Sequence, residues 1–294
     1  MVSKRIVLTG AHSYLGQKLL AHFSEKGGYE IAAFITPWAK ESSLFANGGI
    51  RYIKADLTKP LDEVAAEEVK VADRVLHFAW VRSGSKDEIL KVNLSMIENL
   101  QIHLSRPEAL VFISSVAASP KTLSRYGQTK FEIANQLREF GATILVTGLI
   151  VDKEPRGPYE LLVKVVKKLP FSVRFTKNSV KVYPIRTDDF LNAIEVVLSE
   201  DIATGLYRIY PTRPDDINDF LAELEKKYVR SRLKIPVPYG FSMSSLKALH
   251  GVGVLPATLG EKLLTFLYKD DEYLATHATL PGTDGIERPL DEMI

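Results

Sequence analysis

Short apolar runs alternate with stretches of helical periodicity through the first half of the chain. Arg5–Thr9 is an apolar run closed by glycine and reads as a buried strand. Leu15–Lys26 carries apolar residues at helical spacing and stops at Gly27-Gly28. Glu30–Ile35, Ile50–Lys54, Arg74–Ala79, Leu110–Ser114 and Thr143–Thr147 supply further strands. Ser85–Leu104, with Ile89, Leu90, Asn93, Leu94, Ile97 and Leu100 on or near one stripe, reads as a long helix, and so does Arg125–Phe140. Strands alternating with helices predict right-handed βαβ units. The fold class is therefore α/β, a Rossmann-type doubly wound parallel sheet.

The alternation weakens after about Leu149, where Pro155, Pro158, Pro170 and Pro184 interrupt the pattern. Helices are expected at Tyr159–Lys168, Thr187–Ser199, Asp215–Tyr228 and Ala257–Leu267, with a possible return to the sheet at Gly205–Tyr210 and an extended link at Pro236-Val237-Pro238. The expected organisation is a doubly wound domain over 1–150, rejoined by 181–210, and a smaller lobe from 151–180 and 211–270. Residues 271–294 read as a loose tail, since Gly282–Ile294 holds four acids and little apolar content.

Two local patterns carry chemistry. The first is Val7-Leu-Thr-Gly10-Ala-His12-Ser13-Tyr14-Leu15-Gly16, which joins the first strand to the first helix. Gly10 permits a tight turn, and Gly16 permits close packing of helix on strand. The helix N-terminus then presents N–H groups and a positive dipole end to a pyrophosphate. Ser13 takes the place of the middle glycine and keeps a small, hydroxyl-bearing side chain there. The second pattern is Tyr126-Gly-Gln-Thr-Lys130. Its two key residues lie one helical turn apart on one face. An ammonium near a phenol lowers the phenol pKa from about 10, so that it can exchange a proton near neutral pH. At the end of the second strand, Thr36 to Lys40 contains no acid to bind a ribose 2′-OH. Lys40 could reach a 2′-phosphate. The cofactor is thus NADP or NAD, with a slight preference for NADP.

With these motifs in order, the chain resembles the short-chain dehydrogenase/reductase superfamily, in its extended, NAD-dependent epimerase/dehydratase branch. The resemblance covers roughly residues 4–200. Its carriers are Thr9-Gly10-x-x-Ser13-x-x-Gly16, Ala55-Asp56-Leu57, His77-Phe78-Ala79, Val92-Asn93-Leu94, Phe112-Ile-Ser-Ser115, Tyr126-x-x-x-Lys130 and Ile185-Arg-Thr-Asp-Asp189-Phe. It implies that Asp56 and Leu57 contact the adenine and that Phe78 and Ala79 pass beside the cofactor. It further implies that Ser115 hydrogen-bonds the substrate oxygen and that Tyr126 is the acid/base. Lys130 would hold the nicotinamide ribose, and Asn93 would shape the helix near the catalytic set. Three positions depart from the sugar-nucleotide members. Tyr126 follows Ser115 by only 11 positions, Val146-Thr147-Gly148 stands at the end of the sixth strand where Arg-Pro-Gly is common, and Lys181-Val182-Tyr183 stands where an arginine is usual. Arg156, Lys177, Lys181 and Arg186 remain as cations for a phosphate.

Composition narrows the classes further. The chain has 294 residues, 46% hydrophobic and 25% charged, with a formal net charge of +2, so no strong field favours nucleic acid. There is no Cys, which excludes disulfides and thiol nucleophiles. No His cluster or H-E-x-x-H predicts a metal site, and G-x-S-x-G is missing. No signal peptide or membrane span is read, so a cytoplasmic protein is expected, with a small-molecule substrate, no nucleic-acid or membrane partner, and room for a homodimer. The expected function is an NAD(P)-dependent epimerase, dehydratase or keto-reductase acting on a nucleotide-linked sugar. The alternatives are a reductase of a small non-nucleotide carbonyl compound, or a non-catalytic NAD(P)-binding sensor or structural protein.

Overall fold

The structure, a computed structural model, describes residues 3–40, 49–176, 180–200, 202–229, 232–239, 261–262, 265–266, 269–283 and 286–294. The first stretch runs β1 (Lys4–Thr9), α1 (Tyr14–Lys26), β2 (Tyr29–Ile35), β3 (Ile50–Lys54), α2 (Glu63–Val71), β4 (Arg74–His77), α3 (Lys86–Gln101), β5 (Leu110–Ser115), α4 (Arg125–Phe140) and β6 (Thr143–Thr147). The second runs β7 (Leu149–Val151), α5 (Gly157–Lys168), β8 (Ser172–Thr176), β9 (Lys181–Val182), β10 (Pro184–Arg186), α6 (Thr187–Ser199), β11 (Leu206–Ile209), β12 (Asp215–Asp216), α7 (Ile217–Tyr228), β13 (Lys234–Pro238), α8 (Asp271–Leu274), β14 (Ala278–Thr279) and α9 (Leu290–Met293).

The main sheet has the strand order β14-β11-β6-β5-β4-β1-β2-β3. Pairs β1–β2, β1–β4, β2–β3 and β4–β5 are all parallel. The chain winds outward from β1 to β3, then crosses back to lay β4 on the other side of β1. That reversal is the topological switch point of a doubly wound sheet. Strands β1, β2, β4 and β5 are largely apolar because both sheet faces are covered there, whereas the edge strand β3 is partly exposed. Ile6, Val7 and Leu8 of β1 are buried, as are Leu19, Leu20 and Phe23 of α1. The register sets Val7 against Ala32 on one side and Val75 on the other.

Two compact units divide the chain. One comprises Met1–Ser114, Glu132–Leu145 and Ile194–Tyr207; the other comprises Ser115–Phe131, Val146–Ala193 and Arg208–Ile294. The second has its own core, where Tyr159, Leu162 and Val163 of α5 meet Phe220, Leu221 and Leu224 of α7. Arg174 on β8 forks onto Glu225 of α7, with Nη1 to Oε1 at 2.9 Å.

Two expectations need correction. Pro236-Val237-Pro238 is no mere link but lies in β13, paired in parallel with β8. Prolines two residues apart place both missing N–H donors on the same side, which can be the unpaired one. Several short strands (β7, β9, β10 and β12) also form where proline interruptions hid any period. The residues after 270 are not loose. Leu280, Ile286 and Met293 are buried, and Arg288 grips the buried Asp189 through two hydrogen bonds of 2.8 Å. Low average hydrophobicity hid the fact that these few apolar residues are spaced to be used. The expected helix Ala257–Leu267 lies mostly outside the described residues; 261–262 and 265–266 are helical.

The same C-terminal stretch contributes His277 to an aromatic group with the buried Tyr210 and the half-buried Tyr273. Tyr210 donates its hydroxyl proton to the Leu274 carbonyl at 2.9 Å, and His277 Nδ1 lies 2.8 Å from the same hydroxyl. His277 Nε2 is buried and has no hydrogen-bond partner among the described residues. Burial, with the positive charge of Arg208 nearby, pushes the imidazole down to about 4. The unfolded chain takes up this proton near pH 6.5, the folded protein only near pH 4. The unfolded state thus binds more protons across that window. The contribution is fully present above pH 6.5 and falls by about 3 kcal/mol as the pH drops to 4. Asp215, raised to about 6 by burial and nearby acids, acts with the opposite sign between its own two pKa values. The measurement is therefore differential. Urea midpoints of wild type and His277→Phe, followed from pH 7 to 4, should converge or cross as the pH falls.

Candidate active site

The turn after β1 is held by one hydroxyl. Thr9, fully buried, accepts the backbone N–H groups of Phe78 at 3.1 Å and Ala79 at 3.2 Å. Its oxygen also lies 2.9 Å from His77 Nδ1. A hydroxyl that accepts two N–H bonds has its own proton left to give. Thr9 therefore donates to Nδ1, which assigns the His77 proton to Nε2. Thr9 thus ties the carboxyl end of β1 to the carboxyl end of β4.

Gly10 follows at φ +68°, a left-handed conformation. A Cβ there would stand 2.7 Å from the Ala79 nitrogen and 2.8 Å from the Phe78 carbonyl carbon. The two strand ends can approach this closely only without a side chain at position 10. Gly16 packs as tightly, since its Cβ would lie 2.6 Å from the Gly10 oxygen. Ser13 caps α1, accepting the Gly16 N–H at 3.1 Å through Oγ. His12 is exposed, whereas Tyr14 and Leu15 open the helix half-buried. The expected small-residue turn is present, with the Ser13 hydroxyl already engaged as a cap.

Along the rest of the sheet edge, Thr36 is half-buried and accepts the Ala39 N–H in a turn, and Lys40 is exposed. Asp56 accepts from both the N–H and the hydroxyl of Thr58, and these bonds hold its carboxyl below the usual carboxylate range. Leu57 is buried and its carbonyl accepts from Asn99. Asn93 is fully buried. It exchanges hydrogen bonds with both the N–H and the carbonyl of Val81 and donates to the Ile89 carbonyl at 2.7 Å. Its side chain pins the segment after β4 to α3.

In the second unit, Ser115 ends β5 and its Oγ accepts the Ala117 N–H at 3.3 Å. Tyr126 and Lys130 occupy the first turns of α4, with the Lys130 ammonium 5.8 Å from the centre of the Tyr126 ring. Lys130 is buried to 7% exposure, which brings its charge close to the phenol in a poorly solvated setting. Sequence reasoning missed Gly127. A Cβ there would meet the Ala117 oxygen at 2.3 Å and Thr122 Oγ1 at 2.6 Å, so only glycine lets α4 begin against the loop from Ser115. It also missed Thr9 as a hydrogen-bonding centre, although a polar residue closing an apolar run just before a glycine was a usable signal.

The phosphate candidates are dispersed. Arg156 is exposed beside Glu154, and Arg186 pairs with Asp188 at 3.1 Å. Lys181 lies half-buried in β9, and Lys177 is outside the described residues. Among the described residues no cluster of His, Asp and Glu gathers as metal ligands, and no helix is long and apolar enough to cross a membrane.

Removing the Thr9 hydroxyl should strand two N–H groups and the His77 Nδ1. Thr9→Val is expected to destabilise the protein by roughly 1–3 kcal/mol, read as a lower urea midpoint. Thr9→Ser, which keeps the hydroxyl, should recover most of that.

No protein-family model matches the sequence, and no curated protein matches it. Solved structures do match. The protein gox2253 shares 15% identity over 99% of this chain and 96% of its own, with a TM-score of 0.69. The enzyme WbmG from Bordetella bronchiseptica, solved with NAD and UDP, shares 17% identity over 80% of this chain and 82% of its own, with a TM-score of 0.61. A UDP-glucose 4-epimerase from Thermotoga maritima, solved with UDP-glucose, shares 16% identity over 79% of this chain and 85% of its own, with a TM-score of 0.58. At identities this low the likeness speaks for the fold, and the chain has the Rossmann-type α/β fold that these proteins share.

Proposed function

We propose that the chain is an NAD(P)-dependent oxidoreductase or epimerase of the short-chain dehydrogenase type, acting on a nucleotide-linked sugar. The observation that carries this reading is the Gly10 turn at the switch point, where the turn after β1 lies against the segment after β4 and a side chain is sterically forbidden. Ligands of such sheets bind in the crevice outside the carboxyl ends of the strands. The residues present fit a dinucleotide. Gly10 and Gly16 let β1, the segment after β4 and the start of α1 pack backbone to backbone, and the N-terminus of α1 behind that turn is the end that favours a pyrophosphate. Asp56 and Leu57 are assigned to the adenine, Phe78 and Ala79 to the flank of the cofactor, and Thr36 and Lys40 to the adenosine ribose. Exposed Lys40 and the lack of an acid between Thr36 and Lys40 favour NADP.

A nicotinamide bound there supplies a hydride donor or acceptor. The chain's own groups manage orientation and the proton. Ser115 and Tyr126 hydroxyls direct hydrogen bonds at one substrate oxygen and fix its carbon in place. Tyr126 gives or takes the proton at that oxygen, and the Lys130 charge favours the phenolate that results. Residues 151–180 and 211–270 are assigned to substrate binding, with Arg156, Lys181 and Arg186 as cations for a diphosphate. WbmG with NAD and UDP, and the epimerase with UDP-glucose, support the nucleotide-sugar class. A reductase of a small non-nucleotide carbonyl compound is the second reading. It is favoured by Arg156 and Arg186 each having a neighbouring acid as partner.

A thermal-shift screen of NAD, NADP and UDP-, GDP- and dTDP-linked sugars tests the proposal, because a ligand stabilises the state it binds. Both cofactors should raise the Tm, NADP more than NAD, and Lys40→Ala should abolish that difference. No shift with either cofactor would end the proposal. A response to cofactor but to no sugar nucleotide, with NADPH consumed on a small aldehyde, would favour the second reading. Tyr126→Phe should keep fold and cofactor affinity while turnover falls by ~10²–10⁴-fold. Full turnover in that variant would remove Tyr126 as the acid/base.

A further inference from the structure

Helices leave their first N–H groups without partners inside the helix. In α4, Ser124 Oγ accepts the Gly127 N–H at 3.0 Å, and the Ser124 carbonyl accepts the Gln128 N–H at 2.9 Å. The N–H of Tyr126 is taken by a side chain 135 positions away. Glu261 Oε1 accepts it at 2.9 Å, while Oε2 of the same carboxylate lies 3.4 Å from Arg125 Nε. Glu261 is itself held in a helical turn, where its carbonyl accepts the Thr265 hydroxyl at 2.8 Å. Its side chain is 17% exposed, so this is not a loose surface pair. The first turn of α4 contains no acid of its own. The carboxylate that this helix start attracts therefore comes from the C-terminal region.

We propose that Glu261 is a positioning residue for Tyr126, clamping the backbone of Arg125 and Tyr126 so that the phenol projects from a fixed point. The inference rests on the assignment of Tyr126 to proton transfer beside the cofactor. A carboxylate accepting a backbone N–H at a helix N-terminus makes a charge-assisted bond and also complements the helix dipole. Gly127 fixes the next residue by its contact with Ala117, so the two anchors bracket the Tyr126 Cα. Proton-transfer geometry is sensitive to this. A displacement of about 1 Å at a reacting group can cost ~10²-fold in rate. The clamp also makes the placement of Tyr126 depend on the C-terminal region being folded.

The test needs no substrate. Labelling the twelve tyrosines with 13C at Cζ gives a resonance for each, and Tyr126→Phe assigns that of Tyr126. NADP and NAD are then titrated into wild type, Glu261→Ala and Glu261→Gln. In wild type the Tyr126 resonance should shift on cofactor addition. In Glu261→Ala it should broaden or split, lose most of the cofactor-induced shift, and the Tyr126 amide should exchange faster with solvent. Glu261→Gln keeps an oxygen that can accept the N–H and should restore most of both. Should Glu261→Ala fail to fold, Glu261→Leu fills the volume without an acceptor and is read in its place. A wild-type shift reproduced in full by Glu261→Ala, with unchanged amide exchange, overturns the inference and leaves the assignment of Tyr126 standing. A Tyr126 resonance unmoved by either cofactor in wild type overturns that assignment instead.

Discussion

The junction of β1 with β4 depends on the Thr9 hydroxyl. Parallel strands are joined by evenly spaced backbone bonds, and the β1–β4 ladder ends at the pair Thr9–His77. Thr9 continues the connection past the last rung, accepting the N–H groups of Phe78 and Ala79 and giving its proton to His77. Three polar groups are satisfied by one side chain that is itself fully buried. This fixes the segment after β4 against the Gly10 turn, with no room for a Cβ at position 10. A valine would match the shape of Thr9 and lose all three bonds, which is why burial alone does not explain the residue.

The start of α4 follows a similar logic with different chemistry. Tyr126 and Lys130 share a face because of helical spacing, yet spacing alone does not fix where the helix begins. Close contact of Gly127 with the Ala117 carbonyl, the Ser124 cap and the Glu261 carboxylate together define that point. Two of these anchors lie within ten residues of Tyr126, and the third comes from Glu261. The C-terminal region is thus tied in at several places, by Glu261 at α4, by Arg288 on Asp189 and by the Tyr183 hydroxyl on Asp271 at 2.7 Å. Burial and the Asp271 carboxylate push the Tyr183 phenol well above its ordinary value, so it stays a neutral donor.

Much of this was legible in the sequence. Continuous apolar runs such as Ile6-Val7-Leu8 announce strands buried on both faces, and their alternation with helical stretches dictates a doubly wound sheet. Local chemistry also fixed the Gly10–Gly16 turn and the Tyr126–Lys130 pairing, because strand–turn–helix context and i,i+4 spacing are properties of adjacent residues. Other features were decided only by tertiary structure. No local pattern could reveal that Thr9 bridges to residues near position 78, that Glu261 caps a helix 135 positions upstream, or that Asn93 is consumed in holding Val81. The β13–β8 pairing and the burial of Leu280, Ile286 and Met293 were equally hidden, since prolines and acids dominate the composition there. The physical reason is the same in each case. Periodicity and turn chemistry act between neighbours in sequence, whereas a hydrogen bond across tens of residues exists only once the core has brought both partners together.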